Sequence, residues 1–171
     1  MCPAPTSPVD PAALQLTLAT ADDLPFLQAL YASTRSEELA ATGWSAQQQA
    51  DFIAQQFDAQ HRHYQEHYRE AAFSVVHHGH EPIGRFYVFR GPTIYNLMDL
   101  SLLPGWRGHG IGGHLLAQLV READSAARAI RLYVEQDNPA RRLYERFGFA
   151  VTGQHPIYLQ MHRPATQELA A

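Results

Sequence analysis

The chain holds one cysteine in 171 residues, Cys2, so it cannot close an internal disulfide. A reducing cytoplasm is therefore the expected compartment. Cys2 sits in the proline-rich stretch MCPAPTSPVDPAA, a poor setting for a nucleophile. That stretch also lacks the basic start and apolar core of a signal peptide. No apolar run approaches the roughly 20 residues a membrane-spanning helix needs. Charge is sparse too, at 18% with a formal net of −4. The arginines are scattered and no basic aromatic stripe accompanies them, so no nucleic-acid partner is expected. What remains is an ordinary apolar content of 46%, without internal repeats and with enough length for one real core. The expected layout is a tail over residues 1–12, a single domain over 13–163 and a frayed tail over 164–171.

Glycine is the residue that is locally abundant. Arg107-Gly108-His109-Gly110-Ile111-Gly112-Gly113 places four glycines and a basic residue between an apolar run and an amphipathic helix. Such a loop can turn its N–H groups toward an anion, and the helix behind it adds free N–H groups and a positive dipole end. Phosphate or pyrophosphate is the natural guest. Gly108, Gly110 and Gly113 fit the dinucleotide fingerprint G-x-G-x-x-G, a weak signal on its own. Here it falls past mid-chain, with too little sequence after it for the usual array, and Asp124 lies inside a helix rather than at a ribose. No Lys-Ser or Lys-Thr follows the glycines, which excludes a Walker loop.

Periodicity supplies the rest of the frame. Leu14 to Leu18 alternates like a strand, and Thr20-Ala21-Asp22-Asp23 opens a helix striped by Leu24, Leu27, Leu30 and Tyr31. Residues 34–44 read as a linker. Ser45-Ala46-Gln47-Gln48 is a capping box for a helix reaching about Tyr68. Strands are expected over 72–77, 83–90 and 94–103, followed by the loop and a helix carrying Leu115, Leu116, Leu119, Val120 and Ala123. A strand over 130–135 precedes Asn138-Pro139, a cap with proline at the first helical position. That helix stops at Gly148, and strands over 149–152 and 157–162 complete the order β-α-α-β-β-β-α-β-α-β-β.

The loop resembles the acetyl-CoA loop of the GCN5-related N-acetyltransferase (GNAT) family, Gln/Arg-x-x-Gly-x-Gly/Ala, matching every fixed position from Arg107 to Gly112. Leu102, Pro104, Trp106, Leu115 and Leu116 resemble its flanking pattern. Residues 138–149, NPARRLYERFGF, resemble the family's N-x-x-A/R-x-x-L-Y-x-x-x-G-F signature. The resemblance covers roughly residues 93–152. It implies a mixed α/β (α+β) GNAT fold, a mostly antiparallel sheet of about seven strands flanked by about four helices. It also implies an N-acetyltransferase that moves acetyl from acetyl-CoA to a primary amine on a small molecule or peptide. Homodimers are common in the family. With no placed cysteine for a covalent intermediate, direct attack in a ternary complex is expected. The alternative is a CoA-binding sensor or interaction module with little catalysis.

By that resemblance the cofactor would meet the loop residues Arg107, Gly108, His109, Gly110, Ile111, Gly112 and Gly113. Arg107 would add charge or brace the loop. Backbone N–H groups between Leu100 and Leu102 would hold the pantetheine arm and polarise the thioester where the fourth and fifth strands splay. Asn138 would bond the pantetheine region, or cap its helix. Tyr144 stands where the family often keeps a tyrosine that protonates the leaving thiolate, a fair match for a phenol. The competing reading is that Tyr144 packs the helix. For the base, Asp99, Glu135 and a water relay stay open; strand alternation groups Asp99 with Leu97 and Ser101 unless a bulge redirects it. The acceptor cleft would involve residues 31–68. His63-Tyr64-Gln65-Glu66-His67 fits the metallopeptidase pattern H-x-x-E-H, but no third ligand is identifiable, so no metal site is expected.

Overall fold

A computed structural model describes residues 9–166. Cys2 and most of the expected N-terminal tail, and residues 167–171 of the C-terminal one, lie outside them. Val9 already packs against the core, and the turn Pro11–Ala13 delivers the chain to β1 (Leu14–Leu18). The Asp23 carboxylate accepts from the Thr20 N–H at 2.8 Å and hydroxyl at 3.0 Å, which fixes the entry to α1 (Leu24–Ala40).

Helix α1 runs through most of the segment that reads as a linker. Serine and threonine often divert a backbone into turns, but here Ser33, Thr34 and Ser36 donate their hydroxyls to carbonyls three residues earlier. After Pro25 in the first turn, no glycine or proline occurs before Gly43, and Leu39 is buried. The connection is therefore short, with Gly43 at φ +70° turning the chain. The capping box at Ser45 and Gln48 is formed reciprocally, at 3.2 and 2.9 Å, and opens α2 (Ala46–His67).

The strands β2 (Ala72–His78), β3 (Glu81–Arg90) and β4 (Ile94–Leu102) form a meander. Helix α3 (Ile111–Ser125), β5 (Ala129–Glu135), α4 (Arg141–Arg146), β6 (Ala150–Gln154) and β7 (Tyr158–Arg163) follow. Together they make one seven-stranded sheet in the order β1-β2-β3-β4-β5-β7-β6. Every pairing is antiparallel except β4 with β5. Helix α4 begins two residues later than the Asn138 cap suggests, because residues 138–140 form a turn ahead of it.

Period-2 alternation divides the core into two layers. On one face Val76, Phe86, Val88, Ile130, Leu132 and Met161 meet Leu115, Leu116 and Leu119 of α3. On the other, Val75 and Tyr87 meet Leu27 and Tyr31 of α1 and Ile53 and Phe57 of α2. Each fully buried aliphatic side chain contributes about 1.5–3 kcal/mol relative to exposure. With both faces covered, the useful opening has to be made within the sheet.

It is made between β4 and β5. Their parallel ladder holds only from Ile94 paired with Ala129 to Leu97 paired with Leu132. In the β3–β4 ladder Tyr87 faces Asp99 while Val88 faces Leu97, so Met98 is an extra, bulged residue. A bulge bends and twists its strand. This one follows directly after the last β4–β5 pair, and the two strands diverge from there.

Candidate active site

The bulge also decides which side chains face which layer. Tyr95 and Leu97 point into the α3 layer; beyond the bulge Leu100 and Leu102 do so. Asp99 therefore turns away from Leu97, in company with Ser101, toward α1 and α2. Backbone groups alternate likewise. The Leu103 N–H donates to the Ile83 carbonyl at 2.9 Å, across to β3. By alternation Leu102 and Leu100 aim theirs the other way, into the gap that β5 has left. The Leu102 carbonyl accepts from Arg107 Nε at 2.9 Å, which braces the glycine loop against β4.

In that loop Gly108 and Gly110 have φ of +80° and +81°, the left-handed region. A methyl group built on either would meet nothing within 4 Å, so space stands open above both. Gly110 is the N-cap of α3 and has no side chain to cap it. The N–H groups of Ile111, Gly112 and Gly113 consequently begin the helix without intrahelical partners. A Cβ on Gly112 would lie 3.8 Å from Leu100 Cδ2 and 3.4 Å from Leu143 Cδ2, so the helix start adjoins both the gap and α4. Such N–H groups at a helix start can receive an anion, and they stand beside the opening in the sheet.

A cavity of about 750 Å³ passes through the gap. Tyr31, Gln60, Tyr64, Arg85, Asp99 and Ser101 line it on the α1–α2 side, and Leu100, Asn138 and Tyr144 on the α3–α4 side. Tyr144 is only 7% exposed and packs edge-on against Phe149 at 5.9 Å. Among the described residues its hydroxyl has no hydrogen-bond partner. Burial raises the pKa of its phenol, and the negative charge of Asp99 adds to the rise. Tyr64 is raised for the same two reasons. Asn138 Oδ1 accepts from the Ala140 N–H at 2.9 Å, steadying the turn into α4 while its side chain lines the cavity.

The two carboxylates differ in what holds them. Asp99 Oδ2 accepts from Arg85 Nη2 at 2.6 Å and its Oδ1 accepts from the Ser101 hydroxyl at 2.6 Å. Arg85 is 3% exposed, also bonds Gln60 at 3.0 Å, and lies near the rings of Tyr31 and Tyr87. Its buried Nε has no partner among the described residues. Glu135, with its side chain 44% exposed, stands at the mouth and meets only Arg35 Nη1, at 3.5 Å. Arg35 shares that nitrogen with Glu38 at 3.1 Å.

Leu100, Asp99, Glu135, Asn138 and Tyr144 thus share one cavity. The loop from Arg107 to Gly113 forms the adjoining cradle, with His109 half-buried within it. Leu102 packs at the core's edge, next to the cradle. Arg85, Arg131, Gln60 and Ser101 also line the cavity, although no role was expected of them from the sequence. A signal existed for Arg85, a lone charge inside the apolar strand run of β3; Gln60 and Ser101 gave none. His63 and His67 stack at 4.3 Å on α2, with His67 Nδ1 3.0 Å from the His63 carbonyl. No group of three or more His, Cys, Asp or Glu among the described residues could hold a metal ion. No described helix is long and apolar enough to cross a membrane.

A sheet parted between two parallel strands beside a glycine-rich helix start is the arrangement that the resemblance to GNAT acetyltransferases implies. Residues 69–151 match the family model described as an acetyltransferase (GNAT) domain. Over that stretch, just under half of its length, the chain carries the match to GNAT acetyltransferases. It superposes on the PaiA N-acetyltransferase of Thermoplasma acidophilum in complex with coenzyme A, with a TM-score of 0.68 at 17% identity over 88% of this chain and 98% of that one. An acetyltransferase from Thermus thermophilus gives a TM-score of 0.66 at 20% identity, covering 89% and 97%. In sequence the chain is 39% identical over 69 residues to a mycothiol acetyltransferase of Corynebacterium aurimucosum, covering 39% of this chain and 23% of that protein. A mycothiol acetyltransferase of Thermobispora bispora is 32% identical over 101 residues, covering 59% and 32%. The chain therefore spans about a quarter to a third of the length of these curated relatives.

Proposed function

We propose that this protein transfers the acetyl group of acetyl-CoA to a primary amine by direct attack in a ternary complex. One observation carries the reading: a single cavity reaches the gap from both faces of the sheet. Thioester and amine can then meet in the gap from opposite sides. The cradle from Gly108 to Gly113 takes the pyrophosphate, and the N–H groups at Leu100 and Leu102 face the pantetheine arm. The Leu100 N–H, fixed in the strand, stabilises the oxyanion as the thioester carbon becomes tetrahedral.

The nitrogen must shed protons and the sulfur must gain one. Glu135 is the less encumbered carboxylate, and we assign it the amine's proton, received through water. Asp99, bonded by Arg85 and Ser101, keeps the wall of the cavity ordered. When the C–S bond breaks, Tyr144 gives its proton to the thiolate. Its raised pKa keeps that proton in place beforehand, and the same burial makes a thiolate formed beside it more basic. Donor and acceptor therefore remain matched.

Calorimetric titration with acetyl-CoA, NADH and ATP tests the ligand class, and CoA release from a panel of amines tests the reaction. Selective binding of acetyl-CoA is expected. The Tyr144→Phe protein should bind it normally, since the ring keeps its contact with Phe149, while turnover drops by about 100-fold. A response to NADH without one to acetyl-CoA would overturn the reading. Undiminished turnover in Tyr144→Phe would reduce Tyr144 to a packing residue.

A further inference from the structure

The charges in the cavity do not suit a polycationic acceptor. Three arginines line it, Arg35, Arg85 and Arg131, against two carboxylates, Asp99 and Glu135. Arg85 is neutralised by Asp99 at 2.6 Å, and Arg35 is shared between Glu38 and Glu135. Arg131 has no carboxylate within ion-pair distance among the described residues. Its only side-chain hydrogen bond there runs from Nε to Asn96 Oδ1 at 2.9 Å, which fixes the guanidinium and leaves both Nη groups available.

Its position gives that free charge a purpose. Ile130, Leu132 and Val134 of β5 are buried in the α3 layer, so Arg131, Tyr133 and Glu135 share the opposite, acceptor-facing side. Arg131 sits one residue before Leu132, where the β4–β5 ladder ends and the gap begins. Its guanidinium leans along the strand toward the opening, 6.0 Å from the centre of the Tyr133 ring. One strand face thus presents a cation, a ring and a carboxylate in sequence, all lining the cavity.

We propose, building on the transferase reading above, that the acceptor is a small amine bearing a carboxylate, of the α-amino-acid type. Arg131 binds its carboxylate through the Nη groups, a geometry a planar guanidinium fits well. The ammonium end then lies toward the gap and Glu135. There it loses one proton to Glu135 through water, the nitrogen forms its bond to the acetyl carbon, the C–S bond breaks as the thiolate takes the proton of Tyr144, and the second proton shed by the nitrogen restores the Tyr144 phenol. The products are an N-acetylated amino acid and CoA. Polyamines would place a second positive charge against Arg131 and are excluded on that ground.

The test compares the common L-amino acids with their methyl esters, which keep the amine and the side chain but lose the charge, and with spermidine. Acetyl transfer is followed by CoA release, and binding to the protein alone by calorimetry. Free acids should outperform their esters by about tenfold or more in kcat/KM. Arg131→Gln should cost the acids about the same factor, mainly through KM, and leave the esters nearly unchanged. Arg131→Lys should recover part of the loss. Esters or spermidine preferred by the wild type, no amino acid bound or acetylated, or an Arg131→Gln that weakens acids and esters equally would each overturn the proposal. If acetyl-CoA fails to bind, the transferase reading falls alone, because the amino-acid titration of wild type and Arg131→Gln still decides whether Arg131 holds a carboxylate.

Discussion

Gly110 and Gly112 stand two residues apart in one loop and are small for opposite reasons. At Gly110 the backbone is left-handed, with φ +81° and open space where a Cβ would go. An alanine there meets no clash but costs about 1–2 kcal/mol in backbone conformation, and its methyl group intrudes where the anion would sit. At Gly112 φ is not in the left-handed region, and a Cβ would touch Leu143 Cδ2 at 3.4 Å, a contact within the ordinary range. Gly110→Ala should therefore lower the unfolding free energy and weaken acetyl-CoA binding. Gly112→Ala should leave both nearly intact, and can gain up to about 0.8 kcal/mol from helix propensity. Denaturant unfolding and titration of the two variants side by side check this; equal losses would refute the distinction. The contrast accounts for the Gly/Ala alternative that the sequence motif tolerates at the second position. The motif was legible because backbone geometry leaves a compositional trace. Arg131 left none: its role depends on Asn96, which meets it across the β4–β5 ladder at a separation of 35 residues.

At the level of elements, the bulge at Met98 does the positioning. Its trace in the sequence is a phase slip: the inward residues Tyr95 and Leu97 are followed by Leu100 and Leu102, three residues on rather than two. The redirection of Asp99 was therefore readable as a possibility, whereas the gap itself needed the register. The opposite failure occurred in α1, where the serines and threonines imitate a linker and only their back-bonded hydroxyls keep the helix going. Deleting Met98 tests what the bulge is for. The shortened strand would alternate regularly, keeping Leu97 and Leu100 in the α3 layer and Asp99 toward α2, with the β3 register beyond it unchanged. The fold should survive, with β4 free to extend its pairing along β5 and narrow the gap. We expect a cooperative unfolding transition near that of the parent and acetyl-CoA affinity weaker by about tenfold or more. Retained affinity in the folded deletion variant would mean that the gap does not depend on the bulge.

Across the whole molecule, all 13 basic residues are arginine and lysine is absent, so the chain offers no side-chain amine to a bound thioester. Among the described residues Arg35, Arg85, Arg90 and Arg163 are tied to carboxylates on other elements, and the tie from Arg163 is the most extensive. From the end of β7 its Nη1 and Nη2 donate to both Asp124 oxygens of α3, at 2.7 and 2.8 Å, and its Nε donates to the Phe147 carbonyl at 3.0 Å. The Thr166 N–H adds a second donor to Asp124 at 2.9 Å. Asp124, set aside above as a ribose partner, is thus a clasp between α3, α4 and the last strand. The hydrogen bonds from Arg163 hold its carboxyl below the usual pKa against the opposing effect of burial, and the Thr166 N–H lowers it further. A carboxyl depressed in the folded state stabilises that state above the unfolded pKa of about 3.9, and the contribution is lost as pH falls through the lower folded value. Asp124→Asn should therefore be less stable than the parent at neutral pH by about 1.5–3 kcal/mol, the range for a charged hydrogen-bonded group. The difference should shrink as both proteins are brought below about pH 4. Unfolding curves at neutral and acid pH decide it: a gap that stays constant would mean that the clasp acts through shape alone, and its closing would show that the charge holds the last strand in place.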